Sequence, residues 1–196
     1  MRVQTVFVVE GKFRFHGIPK CGSRSAEVLL QGDSTRTYPC DTNAGTGSEP
    51  RIALVRHPLE RLRSLYNFVY VERATGKPEQ TIYVKEYLYP AACEFEQFLD
   101  HALDKFFLDR HTIYQAFFVG PRRPDYVGPL RDFDKVAGYL LKKFDLKGSI
   151  EHANRTNDRG PRCDRSYESL VEQTFALDMD LWERAQTDKT RLEDVV

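Results

Sequence analysis

The sequence predicts an α/β fold, a central and mostly parallel sheet flanked by helices. Three observations carry this. β-rich runs alternate with amphipathic helical stripes along the chain. Two of the β-rich runs lead through a short polar loop straight into a helix. Turn signals rich in Gly, Pro, Ser and Asp separate the segments, and no internal repeat or low-complexity tract interrupts them.

Thr5 to Val9 and Phe13 to Ile18 flank the turn signal Glu10-Gly11-Lys12 and read as a hairpin or two neighbouring strands. Pro19 to Ser25 is a polar loop containing Gly22, and Ser25 to Leu30 a short helix. Gly32 to Pro50 reads as a long surface loop. Arg51 to Val55 is a buried strand, and Pro58 suits the first position of the helix that follows. In that helix Leu62, Leu65, Tyr66, Val69 and Tyr70 form the core-facing stripe, with Glu60, Arg61, Ser64 and Asn67 on another face. Thr75 to Pro90 connects to a second stripe of Phe95, Phe98, Leu99, Ala102, Leu103 and Phe106. Ala116 to Gly120 reads as a strand. Phe133, Val136, Ala137, Leu140, Leu141 and Phe144 make a third helix, and Tyr167 to Trp182 the last long one.

The 196 residues suit one domain with a polar tail from about residue 186, long enough to bury a core unaided. The 29 Lys and Arg balance the 29 Asp and Glu, so global charge gives no case for nucleic acid or anionic membrane as partner. An anion site must come from local clustering. Cys21, Cys40, Cys93 and Cys163 are widely spaced, show no metal spacing and read as free thiols. No signal peptide or span of roughly 20 apolar residues is seen, so a cytoplasmic location is expected.

Two segments point to chemistry. Phe13 to Leu30 is strand, tight loop, helix, with Lys20 supplying charge, Ser23 and Ser25 hydroxyl donors, and Gly22 a close backbone approach. This is phosphate-binding logic without the Walker spacing, because Lys20 precedes the glycine. A kinase or GTPase is therefore disfavoured. Read alone, the segment is as well explained by a plain strand–turn–helix. Arg51 to Tyr70 repeats the theme: a buried strand delivers Arg56 to the carboxyl edge of the sheet, where open α/β sheets bind ligands, and Ser64 lies on the following helix. Its bland alternative is a helix whose arginines pair with Glu60 or water. Together the segments suit one ligand with two separated anionic groups.

Ile18-Pro19-Lys20-Cys21-Gly22-Ser23-Arg24-Ser25 resembles the 5′-phosphosulfate loop of the sulfotransferase superfamily. Val55 to Tyr66 resembles that family's 3′-phosphate motif, R-D-P-x-x-R-x-x-S-x-Y. Asp109-Arg110-His111, Asp125 to Gly128, Asn154-Arg155-Thr156, and Phe175, Asp178, Leu181 and Trp182 are similar to stretches of the carbohydrate branch, of the chondroitin, dermatan and heparan type. The resemblance runs discontinuously from about residue 13 to 185 and implies a P-loop-like three-layer fold. It also implies 3′-phosphoadenosine 5′-phosphosulfate as co-substrate, no metal, and a hydroxylated acceptor, a carbohydrate or another small molecule. By that resemblance Lys20 contacts the transferring sulfuryl group and the leaving oxygen. Cys21, Gly22, Ser23, Arg24 and Ser25 hold the 5′-phosphate, Arg56 and Ser64 the 3′-phosphate, and Arg155, Arg159 or Arg162 closes over the nucleotide. The chain departs from the family in having His57 for the motif's Asp, Arg24 where many members have Thr, and Arg131 where the carbohydrate branch carries an acid. The sequence does not single out the base that takes the acceptor proton. His16, His57, His111, Asp33, Asp41 and Glu49 are candidates, and Asp41 and His111 are kept. A nucleotide-binding protein that has lost turnover is the alternative function.

Overall fold

The structure, a computed structural model, describes residues 6–31, 35–38, 47–71, 93–120, 123–151 and 160–196. In chain order its first half contains β1 (Val6–Val9), β2 (Phe13–His16), α1 (Ser23–Leu29), β3 (Thr35–Tyr38), β4 (Arg51–Val55), α2 (Pro58–Tyr66) and α3 (Phe95–Asp104). Then follow α4 (Gln115–Val119), β5 (Tyr126–Pro129), α5 (Phe133–Phe144), α6 (Arg165–Thr174), α7 (Ala176–Thr187) and α8 (Leu192–Val195). The chain divides into two compact units. The first holds Met1–Arg56, Gln115–Arg155 and Asp180–Val196, and the second His57–Tyr114 and Thr156–Met179.

The first unit is a mixed α/β body around a five-stranded sheet of order β3-β1-β2-β4-β5. β2, β4 and β5 run parallel, with Phe15 opposite Ile52 and Ala53 opposite Val127. β1 is antiparallel to both its neighbours, β2 and β3. The parallel character is therefore confined to half of the pairings. A three-residue turn can join only antiparallel strands, and Glu10 to Lys12 is such a turn, closed by the Lys12 amide on the Val9 carbonyl at 2.9 Å.

Side chains alternate across the sheet. Phe7, Val9, Phe13, Phe15, Ile52 and Leu54 point to one face and pack against Ala26 and Leu29 of α1 and Phe133, Val136 and Leu140 of α5. On the other face of β2 lie Arg14 and His16, both buried. Arg14 reaches Glu49 at 3.0 Å, which helps hold that carboxyl below its usual range, after the carboxylate's own backbone hydrogen bond. His16 Nδ1 lies 3.0 Å from the Phe118 carbonyl.

The second unit is helical. α2 with the π-helical turn Asn67–Val71 that continues it, α3, and α6 with the Phe175 that ends it bury Leu62, Leu65, Val69, Phe98, Leu99, Val171 and Phe175 in one cluster, with Tyr66 set edge-on to Phe95 and Phe98. α2 is buried on more sides than its apolar stripe suggests. Arg61 and Ser64, expected on another face, are 2% and 5% exposed. The Arg61 guanidinium donates to the Ile113 carbonyl at 2.8 Å and lies 3.6 Å from the fully buried Asp178 carboxylate. A buried guanidinium persists where such partners replace water.

Four expectations change. Ala116 to Gly120 is not a strand: Gln115–Val119 is a short helix, and the strand of this region is Tyr126–Pro129. A five-residue apolar run fits either element, and periodicity cannot separate them. The segment from Gly32 to Pro50 contains β3, an edge strand of alternating Thr, Arg, Thr and Tyr, residues that suit a half-exposed sheet edge. The expected helix from Tyr167 to Trp182 is broken at Phe175, whose ring is buried in the helical cluster while α7 restarts from its carbonyl. The polar tail also carries a short helix, α8, with Leu192 in the sheet's core. Among the described residues, no helix is long and apolar enough to cross a membrane.

Candidate functional site

β2 and β4 are parallel neighbours, so the loops that leave them emerge side by side at one edge of the sheet. The first loop begins with a turn. Pro19 occupies its second position and fixes φ, Lys20 its third with φ 64°, and the Cys21 amide closes it on the Ile18 carbonyl at 3.0 Å. Proline followed by a positive φ is the type II pattern, whose third position favours glycine. A lysine there costs about 1–2 kcal/mol of backbone strain.

Gly22 then takes φ 81° and leads into α1. The backbone angle requires glycine, and a Cβ on Gly22 would sit 2.8 Å from Leu130 Cδ1 and push that side chain aside. Ser23 is half-buried and Ser25 buried on α1. Arg24 is exposed, 4.0 Å from Glu27, and lines a shallow depression of about 410 Å³ with Phe7, Val28 and Thr37.

The second loop starts at Arg56, half-buried at the end of β4. Gln115 links it to the first loop. Its Oε1 accepts the Arg56 amide at 2.9 Å and the Cys21 thiol at 3.0 Å, and its Nε2 donates to the Arg56 carbonyl at 2.8 Å. Cys21, Cys93 and Cys163 are free thiols.

His57 does at the start of α2 what a capping aspartate does. It is the N-cap of α2, and its Nδ1 accepts the Leu59 amide at 3.3 Å ahead of Pro58. Burial pushes the His57 pKa below its ordinary value, against the pull of Glu172 and Glu60. The neutral ring is the form with an acceptor nitrogen.

In the first unit the structure thus brings together Lys20, Cys21, Gly22, Ser23, Ser25 and Arg56 along one loop pair. Ser64 is buried on α2 in the second unit. His111 is in the second unit as well, with Nδ1 2.9 Å from Asp109 Oδ1 and the Phe68 ring 6.3 Å away. Arg162 is described and exposed. Asp41, Arg155 and Arg159, like Asp33, lie outside the described residues. Among the described residues, no group of three His, Cys, Asp or Glu is placed to hold a metal ion. Sequence reasoning missed Gln115 as a member of the site, and nothing in its local sequence marks it. No protein-family model, curated protein or solved structure matches this chain.

Proposed function

We propose that this chain is a sulfotransferase of P-loop-like architecture. It moves a sulfuryl group from 3′-phosphoadenosine 5′-phosphosulfate to the hydroxyl of a carbohydrate or another small acceptor. The observation that carries the reading is the pairing of two anion-type loops at the ends of adjacent parallel strands. One holds Lys20 in a conformation that breaks the local turn rule, the other holds Arg56, and both bond to one carboxamide. Residues kept in a strained conformation by their surroundings cluster where function needs them.

In this reading Cys21, Gly22, Ser23, Arg24 and Ser25 surround the 5′-phosphate, and Arg56 takes the 3′-phosphate. Lys20 neutralises the charge that builds on the leaving phosphate oxygen. The acceptor oxygen attacks sulfur, the bond from sulfur to the 5′-phosphate oxygen breaks, and 3′-phosphoadenosine 5′-phosphate leaves. The acceptor proton passes to a base. His111 and Asp41 are the candidates for it.

The test is transfer of labelled sulfuryl from the donor to a panel of hydroxylated acceptors, with unmodified protein and Lys20→Ala. Transfer that falls about 100-fold or more in the variant supports the reading. Undiminished transfer in Lys20→Ala contradicts it. Donor binding with no transfer to any acceptor favours the non-catalytic nucleotide-binding alternative, and preference for ATP a kinase.

A further inference from the structure

The sheet ladder along β4 ends where Val55 faces Pro129. One residue later, Arg56 still has an amide and a carbonyl to satisfy, and partly buried backbone groups must find partners. Gln115 supplies both, at 2.9 and 2.8 Å. A carboxamide is a planar copy of the peptide group, with a donor on one atom and an acceptor on the other. Gln115 therefore extends the ladder by one residue, from a side chain 59 positions away. The network fixes the orientation of the carboxamide: only Oε1 can take the Arg56 amide, and only Nε2 can give to the Arg56 carbonyl. The same Oε1 takes the Cys21 thiol, in the residue that closes the Lys20 turn. Gln115 is 0% exposed, so water does not compete for these bonds.

We propose that Gln115 is a positioning residue that sets the Arg56 backbone, and with it the reach of the guanidinium, and ties the Lys20 turn to it through Cys21. The inference rests on reading Arg56 as the 3′-phosphate clamp. It makes a sharp chemical demand, because the position needs an acceptor and a donor at once. Leucine has neither. An ionised glutamate keeps the acceptor but sets a second oxygen against the Arg56 carbonyl. A protonated glutamate restores the missing donor.

The experiment is calorimetric binding of 3′-phosphoadenosine 5′-phosphate and of AMP to the unmodified protein, Gln115→Leu, Gln115→Glu, Arg56→Ala and the double variant Gln115→Leu with Arg56→Ala. The readout is the ratio of the two affinities, which reports the 3′-phosphate contact and which general destabilisation would not move. In Gln115→Leu the preference for the 3′-phosphorylated nucleotide falls about tenfold or more, the scale of a misplaced charge-assisted contact. Adding Gln115→Leu to Arg56→Ala changes the ratio no further. Gln115→Glu regains the preference as the pH is lowered below neutrality, relative to the unmodified protein at the same pH. If Gln115→Leu does not fold, the pH series of Gln115→Glu decides alone. An unchanged ratio in folded Gln115→Leu, or a Gln115→Glu ratio that tracks the unmodified protein at every pH, overturns the inference while leaving the sulfotransferase reading intact. Equal affinity of the unmodified protein for both nucleotides overturns the reading of Arg56 itself, and the inference with it.

Discussion

Lys20 holds a backbone angle that glycine would hold without strain, which sets stability against the proposed function at one residue. Lys20→Gly is expected to have an unfolding midpoint at or above that of the unmodified protein, because it releases about 1–2 kcal/mol of strain against a smaller entropic cost. If the proposed function holds, it also loses sulfuryl transfer. Thermal melts and the transfer assay on the same preparation check both halves. Gly22 is the converse case. Gly22→Ala meets a positive φ and Leu130 together, so it is expected to destabilise by at least about 1–2 kcal/mol in denaturant titration. His57 gives a pH dependence. Its folded-state pKa is depressed, chiefly by burial, so as pH falls the unfolded chain takes up the proton first. The stabilisation is fully present above pH 6.5 and declines as the pH drops below that toward the folded value. His57→Asn keeps a capping side chain without the titration and is expected to flatten this part of the stability profile. An identical slope in the variant would assign the pH dependence to other groups.

Elements were legible where a long pattern had only one solution. The stripe of Phe133, Val136, Ala137 and Leu140 fits a helix alone, and α5 spans Phe133–Phe144 as read. Arg51–Val55, an apolar run entered from a proline and left through Arg56 and His57, is a strand over those same residues. Short segments did not carry enough periods. Gln115–Val119 fits strand or helix equally, and Thr35–Tyr38 was hidden inside a stretch rich in turn residues. Charge on a helix also misled, since Arg61 was assigned to a polar face but its partners Ile113 and Asp178 come from far along the chain. That pair yields a prediction for α2. Asp178→Ala, which strands a buried guanidinium, is expected to cost about 3–5 kcal/mol, and the double change Arg61→Met with Asp178→Leu to recover much of it. Chemical denaturation of the single and double variants measures this. A double variant as unstable as Asp178→Ala would show that packing, and not the stranded charge, sets the cost.

For the whole molecule, strand–helix alternation gave the α/β class, while the antiparallel half of the sheet came from pairings that local sequence does not encode. The same division holds for the candidate site. Lys20, Gly22 and Arg56 were visible because cations and glycines at strand-to-helix junctions have a local meaning. Gln115 was not, because a neutral amide acquires its role only from residues 59 and 94 positions away. The central claim is that two loops on neighbouring parallel strands form one site for a nucleotide bearing both a 5′- and a 3′-phosphate. Thermal stabilisation by 3′-phosphoadenosine 5′-phosphate, beside AMP and ATP, on the unmodified protein and Arg56→Ala tests it most directly. At 100-fold over its dissociation constant the nucleotide should stabilise by about 2.7 kcal/mol, a shift of a few degrees for a chain of this size. The account predicts a shift specific to the 3′-phosphorylated nucleotide and lost in Arg56→Ala. No shift, or equal shifts with AMP and ATP, would contradict it.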